Sequence, residues 1–457
     1  MKTYAPVTEA VLDALKTIVG AEYVLTEPEK LEQYQTDEET DPRKFHLPEA
    51  VVLPKDAQEI AAVIKLANTY DVPVTVRSGG TSLAGGAIPV CGGIVLLMER
   101  LNKIIELNAE GMYMEVEAGV RTVDIQKYAN EAGFLYAGDP CSAESCLIGG
   151  NIATNAGGNK AVRYGVTRDQ VYAVEVVTPT GEIVELGARL KKKSTGYCLE
   201  QLIMGSEGTL GIITKATLKL QPIPPYRFDL LAVFGDPEQP LDVVPKIMQA
   251  GINPTSVEYM DNSYVRGTAD YLEFKGAPHY ENGIYVIITV ETFSEDELDL
   301  KMEQLDELCS AAGAVDVLEA DERIWDMRRN CQESVRLISL VSLTDDVVVP
   351  VNEIAGEKYP FPVKINAHIG DGNLHIVLCK CELSDEEWEN KVEAFHKEVY
   401  TYAYSIGGRL AGEHGIGAKK LREMETYTPA GELAIMRTIK AAMDPQLILN
   451  PGKIFDL

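Results

Sequence analysis

Three glycine-rich stretches interrupt the first 211 residues and limit what this chain can build there. They read Ser78-Gly-Gly-Thr-Ser-Leu-Ala-Gly-Gly86, then a longer run from Gly138 to Gly158, then Met204-Gly-Ser-Glu-Gly-Thr-Leu-Gly211. Glycine permits positive φ and lets the backbone approach a ligand closely. Successive backbone N–H groups in such loops form nests for phosphate oxygens. Arg77 precedes the first loop, and the hydroxyls of Ser78, Thr81 and Ser82 lie within it, which fits a pyrophosphate cradle. None is a Walker A loop, since no Gly-Lys-Ser/Thr occurs, and none has the Gly-x-Gly-x-x-Gly spacing after the first strand. A single such loop is most simply a turn. Three in one region, two with adjacent hydroxyls, point to a dinucleotide held by extended backbone contact.

The runs between them alternate. Residues 8–20, 56–70 and 122–132 have helical apolar spacing. Residues 73–77, 92–98, 112–118, 171–179, 182–186 and 211–220 read as strands. Pro222-Ile-Pro-Pro225 marks a boundary. Beyond it, strands at 229–234, 256–260, 283–291 and 315–319 and helices at 241–250 and 296–312 give strand-helix-strand twice over. That is the pattern of a helix-covered antiparallel sheet of ferredoxin-like type. Asp385–Ser405 reads as a long helix with a solvated charged face.

The second chemical signal is His368-Ile-Gly-Asp-Gly-Asn-Leu-His375, flanked by strand-like runs. Asp371-Gly372 between apolar runs predicts a two-residue hairpin turn, which sets His368 opposite His375 on one face of the extended sheet. Two imidazoles so placed can share a divalent metal; the alternative is a polar pair on a half-exposed sheet. Three of the six histidines, His368, His375 and His414, fall within 47 residues, and His414 follows Glu413 in Gly412-Glu-His-Gly415.

Composition sets bounds. With 457 residues, 46% hydrophobic and 25% charged, the chain is long enough for two or three cores. A net charge of −28 argues against nucleic-acid binding and against docking on anionic membrane. It leaves room for a small anion in a local cationic pocket. No apolar run suits a membrane span, and Glu9 and Asp13 near the start argue against a signal peptide. The eight cysteines are scattered without a Cys-x-x-Cys pair, so reduced thiols in a cytoplasmic protein are expected, with no iron–sulfur cluster of its own.

These motifs, with Asn450-Pro-Gly-Lys-Ile-Phe near the end, resemble in order the FAD-linked 2-hydroxyacid dehydrogenases of the vanillyl-alcohol oxidase / p-cresol methylhydroxylase flavoprotein superfamily. The resemblance covers nearly the whole chain. It implies an α+β protein in which residues 1–222 form an FAD-binding domain of the p-cresol methylhydroxylase type. Residues 223–413 would form a ferredoxin-like α/β cap carrying the hairpin, and residues 414–457 would return to the FAD domain. Arg77, Ser78, Gly79, Gly80, Thr81 and Ser82, with Gly86, would hold the pyrophosphate. Pro140, Ala143, Glu144, Gly149, Gly150, Ala153, Asn155, Gly157 and Gly158 would run along the flavin and its ribityl chain. Glu207, Gly208, Ile212 and Ile213 would reach the adenine side, and Asn450 the flavin. His368, His375 and Glu413 would bind one divalent metal (Fe, Zn or Mn), Asn373 and Arg328 the substrate carboxylate, and His414 would be the base. Arg329 competes with Arg328 for the carboxylate. The loops hold no histidine, which disfavours a histidyl flavin link; Cys141 and Cys146 leave a cysteinyl one open.

One departure bears on substrate. Family members place a lysine just before an Asp-x-x-x-Pro element, whereas Asp346-Val-Val-Val-Pro350 here follows Thr344-Asp345. Its absence disfavours 2-hydroxyglutarate and favours a monocarboxylate, D-lactate ahead of glycolate. With no iron–sulfur or nicotinamide motif, the implied electron acceptor is a soluble carrier such as electron transfer flavoprotein. A homodimer is left open. The competing readings are a redox-neutral transferase of the alkylglycerone-phosphate synthase type and a non-catalytic flavin relay. Neither needs both hairpin histidines together with Glu413 and His414.

Overall fold

A computed structural model describes residues 2–347 and 362–456. The chain divides into two compact units. The first comprises Met1–Gly157, Val166–Ile223 and Glu413–Leu457, and the second Gly158–Gly165 and Pro224–Gly412. Gly158–Gly165 thus packs with the second unit although its sequence lies among the glycine-rich loops. Arg163 explains this, donating to the Thr255 hydroxyl at 2.9 Å and the Glu291 carbonyl at 2.7 Å.

The first unit holds two main sheets, besides the two-stranded pair of Phe134–Leu135 with Gln221–Pro222. In the smaller, Val74–Arg77 and Ala50–Val52 run parallel to Ile94–Leu97 between them, and Val24–Leu25 closes the far edge antiparallel. The larger is antiparallel, in the order Ile104–Asn108, Tyr113–Glu117, Ile212–Lys219, Val171–Val177, Ile183–Gly187. One continuous core joins them, from Val11 and Leu15 through Ile60, Leu96, Val116 and Ile148 to Leu449. Helix Ala57–Tyr70 starts where Asp56 accepts from the Glu59 N–H at 2.9 Å, and stops where Asp71 turns left-handed at φ 55°. The expected strands and helices of this unit are present. Helix Ile148–Thr154, inside the second glycine-rich stretch, is an addition, because its Gly149 and Gly150 mask the helical pattern.

The second unit is a seven-stranded antiparallel sheet. Its first four strands in sequence, Tyr226–Phe234, Ser256–Met260, Ile284–Thr292 and Asp316–Glu319, lie in the spatial order fourth, first, third, second. That is the ferredoxin-like arrangement expected. Every residue of Ile284–Thr292 is buried, so both faces of the sheet are covered there. The histidine hairpin, Val363–His368 and Asn373–Cys379, extends the sheet from Ser256–Met260, and Ser342–Val347 adds the last strand. Helix Asp385–Ser405 occupies the expected residues; Ser384 and Glu387 cap it reciprocally.

The hairpin corrects one expectation. His368 pairs with Asn373, and His375 with Asn366, so the connection is the four residues 369–372 rather than Asp371-Gly372 alone. A two-residue type I′ turn needs positive φ at both central residues. Gly372 has φ 80°, while Asp371 does not enter that region. The loop is longer by an even number, so His368 and His375 keep a common face as diagonal neighbours. Their ring centroids are 5.2 Å apart, edge to face.

Candidate active site

In the first unit the glycine-rich loops wall a cleft of about 1180 Å³, part of it open to solvent. Ser78, Gly79, Gly80, Thr81, Ser82, Gly86, Pro140, Gly149, Gly150, Ala153, Glu207, Gly208, Ile212, Ile213 and Asn450 line it together, as do Glu413 and His414. The walls need glycine. A Cβ on Gly79 would stand 2.6 Å from the Ser145 carbonyl oxygen, and one on Gly149 2.7 Å from the Ala118 Cβ. Asn450 donates to the Glu207 carbonyl at 2.5 Å, and its buried Oδ1 has no hydrogen-bond partner among the described residues. It leaves a polar atom in the wall for a ligand to satisfy. The cleft therefore fits a dinucleotide by its backbone and its orphaned amide.

Several expected contacts lie elsewhere. Arg77 does not line the cleft. Its guanidinium donates to the Thr36 carbonyl at 2.6 Å and lies 5.7 Å from the Tyr34 ring centroid, and burial depresses its pKa. Gly80, at φ 70°, leaves that path open, since a Cβ there would stand 2.2 Å from the guanidinium. Ala143 and Glu144 are outside as well: the Ala143 carbonyl accepts from Val123 N–H, and Glu144 is exposed. Asn155 ends its helix in the left-handed region and accepts from the Arg168 N–H at 3.0 Å. Gly157 backs Glu413, where a Cβ would meet a carboxylate oxygen at 2.4 Å. Gly158 belongs to the other unit.

Glu207 lines the cleft, but its carboxylate is engaged within the protein. One oxygen accepts from the Ile416 N–H at 2.8 Å and the other from the Gly417 N–H at 2.7 Å. Burial raises its pKa, opposed by those two N–H groups and by Lys453. The strand alternation that would turn Glu413 and His414 to opposite faces does not apply. Gly415 at φ 81° and Gly417 at φ 53° keep the segment irregular, and both side chains reach one cleft, with His414 Nε2 3.7 Å from Glu413 Oε1. Cys141 and Cys146 also line the cleft.

The second unit builds its candidate site from side chains. His368, 3% exposed, places Nδ1 2.8 Å from Glu258 Oε1, and the other oxygen of Glu258 sits 2.7 Å from Arg328 Nη2. Burial alone would raise the Glu258 carboxyl; His368 and Arg328 hold it below the usual range. His375 sets Nδ1 3.2 Å from Asn366 Oδ1. A carboxylate and an amide oxygen only accept, so each Nδ1 is the donor in these contacts, and Nε2 is the nitrogen left to face an ion. That is the orientation in which a histidine binds metal, and the buried carboxylate behind it is the usual support. The donor chemistry therefore fits a divalent ion. Arg328 is turned to Glu258, which makes it a support of His368; Arg329 is on the surface with Glu322 and Asp326. Asn373, opposite His368, is 8% exposed, and its Oδ1 has no hydrogen-bond partner among the described residues. In the element that departs from the family, Asp345 accepts from His396 and Tyr400, and Asp346 from the Gly412 N–H; Pro350 lies outside the described residues.

Glu258 was not legible as functional. Its signal was a lone carboxylate within Ser-Val-Glu-Tyr-Met, a strand whose every residue is buried. Charged groups enter such strands only when paired.

Residues 48–187 match the family described as FAD binding domain, and residues 223–454 match FAD linked oxidases, C-terminal domain. A D-lactate dehydrogenase of Anaerostipes hadrus is 37% identical over 472 residues, spanning 99% of this chain and 98% of that protein. Glycolate oxidase subunit GlcD of Bacillus subtilis (strain 168) is 34% identical over 428 residues, 91% of this chain and 90% of that one. Among solved structures, p-cresol methylhydroxylase with substrate bound superposes at a TM-score of 0.83 over 99% of both chains, with 18% identity. That likeness speaks for the fold, and the fold is the one expected.

Proposed function

This chain belongs to the FAD-linked oxidases, and we propose that it oxidises a small D-2-hydroxyacid, D-lactate first, to the 2-oxoacid. What supports this reading is that Glu413 and His414 line the same cleft as the glycine-rich loops suited to the cofactor. Bound FAD supplies the two-electron acceptor, and a divalent metal held by His368 and His375, with Glu413 as the resemblance implies, supplies charge that acidifies the substrate hydroxyl. The protein does the rest. His414 takes the hydroxyl proton as C2 gives up hydride. Asn373 holds the carboxylate with an amide donor. Arg328 neutralises Glu258, and Glu258 keeps the proton of His368 on Nδ1. Thr344-Asp345 precedes Asp346 where family members place a lysine, which leaves the second carboxylate of a dicarboxylic substrate without that cation and favours a monocarboxylate. Electrons then pass to a soluble carrier of the electron transfer flavoprotein kind.

The test is anaerobic bleaching of the flavin by D-lactate, L-lactate, glycolate and D-2-hydroxyglutarate in turn, before and after chelation. D-lactate should bleach fastest; chelation should abolish bleaching and a divalent metal restore it, with FAD bound throughout. His414→Ala should slow bleaching by about 10²–10⁴-fold, the span of a general base, and leave FAD in place. No bleaching by any of the four in metal-replete protein overturns the reading.

A further inference from the structure

The segment that carries Glu413 and His414 has no helix or strand to hold it. Its order comes from elsewhere in the first unit. The Ala418 and Lys419 N–H groups donate to the Ala84 carbonyl at 3.0 and 3.1 Å, and the Gly417 carbonyl accepts from Ile454 at 3.0 Å. Gly417 lies so close to the first glycine loop that a Cβ would stand 2.0 Å from the Ala84 oxygen. These contacts all lie beyond position 416. Nearer the base lies Glu207, whose carboxylate takes the Ile416 and Gly417 N–H groups one per oxygen. Gly415 packs flush on it, with room for no Cβ: one would stand 2.7 Å from Oε1.

Glu207 is also an odd residue for its place. It sits at φ 51°, between Ser206 and Gly208, where glycine would be unstrained. A non-glycine residue held there is strained. Its own backbone is tied on both sides: its N–H donates to the Ala153 carbonyl at 2.7 Å, and its carbonyl accepts from Asn450. A strained position that keeps a buried acidic side chain, rather than glycine, points to a task for that side chain.

We propose that Glu207 is the positioning residue for the base: by gripping the amides two and three residues beyond His414, it fixes the imidazole in the cleft and couples it to the cofactor-facing wall. This rests on the reading of His414 given above. Glu207 is not a contact to the adenine through its carboxylate. Its burial leaves both oxygens directed at backbone N–H groups, which a neutral amide cannot match, because glutamine offers one acceptor and one donor.

The test uses the FAD-loaded full chain. Glu207→Gln should retain FAD at the wild-type ratio and change KM little, yet slow anaerobic flavin reduction by about 100-fold, the loss expected when a catalytic group is displaced by an ångström. Glu207→Gly relieves the backbone strain while removing the carboxylate, so it should fold at least as well and show the same slow reduction. A second readout needs no substrate. Hydrogen exchange at the Ile416 and Gly417 amides should quicken in both variants, with the rest of the chain unchanged. Wild-type reduction in Glu207→Gly, or unchanged exchange at those amides, overturns the proposal. If wild-type protein is bleached by no hydroxyacid, the functional reading falls, and amide exchange alone still decides whether Glu207 holds the loop.

Discussion

The two units make their sites in opposite ways. In the first, the cleft wall is backbone: glycines stand where a Cβ would strike a carbonyl or a neighbouring side chain, and the polar side chains mostly serve the protein itself, as Arg77 and Glu207 do. In the second, the site is a chain of buried charged and polar side chains, from Arg328 through Glu258 to His368, with Asn366 behind His375. Backbone recognition suits a large cofactor that must be held along its length. Side-chain recognition suits a small ion and a small acid, for which the charge and protonation of two or three groups decide everything. The contrast predicts that the first site fails when bulk is added and the second when charge is removed.

The largest effect should follow Glu258→Gln. It strands Arg328 and His368 in the interior, and breaking a buried ion pair on one side costs roughly 3–5 kcal/mol. Both tryptophans, Trp325 and Trp388, lie in the second unit and are buried, so denaturation followed by tryptophan fluorescence reads that unit. The midpoint should fall sharply, and metal affinity by about 10–100-fold as the support of His368 is lost. FAD retention should stay as in wild type. A midpoint unchanged from wild type would mean that the charges are not coupled as described.

Next comes a pair of variants in the cleft. Gly79→Ala drives a methyl against the Ser145 carbonyl, 2.6 Å from where its Cβ would stand, and overpacking of that kind costs about 1–3 kcal/mol. FAD affinity should fall about tenfold or more. Ser82→Ala removes a hydroxyl that accepts from the Ala84 and Gly86 N–H groups at 3.2 and 3.1 Å, a loss of about 1 kcal/mol. Equilibrium FAD release measures both. If Ser82→Ala weakens binding more than Gly79→Ala, the backbone account of the first unit is wrong.

The same contrast explains what the sequence disclosed. Periodicity exposed long helices such as Asp385–Ser405, which must bury one apolar face at fixed intervals, and an unbroken apolar run exposed strand Ile284–Thr292. The strand order of the second unit followed from its alternation of strands and helices. Glycine-rich loops marked the cleft, since few other residues fit such walls. What periodicity does not encode is where a polar side chain turns. Arg77 looked like a phosphate ligand from its neighbours, but the open face of Gly80 lets it turn back to Thr36. Glu258 looked like one residue of a buried strand, and only its cross-strand pairing with His368 reveals its task. The hairpin register was off by the length of a loop, yet the histidines kept their face because the error was even. The tail helices Leu421–Tyr427 and Ala430–Met443 escaped notice beside the motifs around them.

The smallest effect separates the buried charges of the two units. Glu258 is matched by two partners at contact distance, whereas Lys453 of the first unit, 2% exposed, donates to the Ile88 carbonyl at 2.5 Å and meets Asp37 and Glu207 only at longer range. Burial therefore pushes the Lys453 pKa down from 10.5 to about 8, against the pull of those carboxylates. Between these two values the unfolded chain holds a proton that the folded chain has released. Unfolding free energy must then rise with pH across that window, by up to about 1.4 kcal/mol per pH unit, and this contribution is lost as pH falls through the folded value. Lys453→Met removes the group and its slope. Other titrations cancel in the difference between the two proteins, so between pH 7.5 and 9 wild type should gain roughly 1 kcal/mol relative to Lys453→Met, followed by FAD release on denaturation. A difference that stays flat over that range would mean that Lys453 is as well compensated as Glu258, and the contrast between a matched and an unmatched buried charge would disappear.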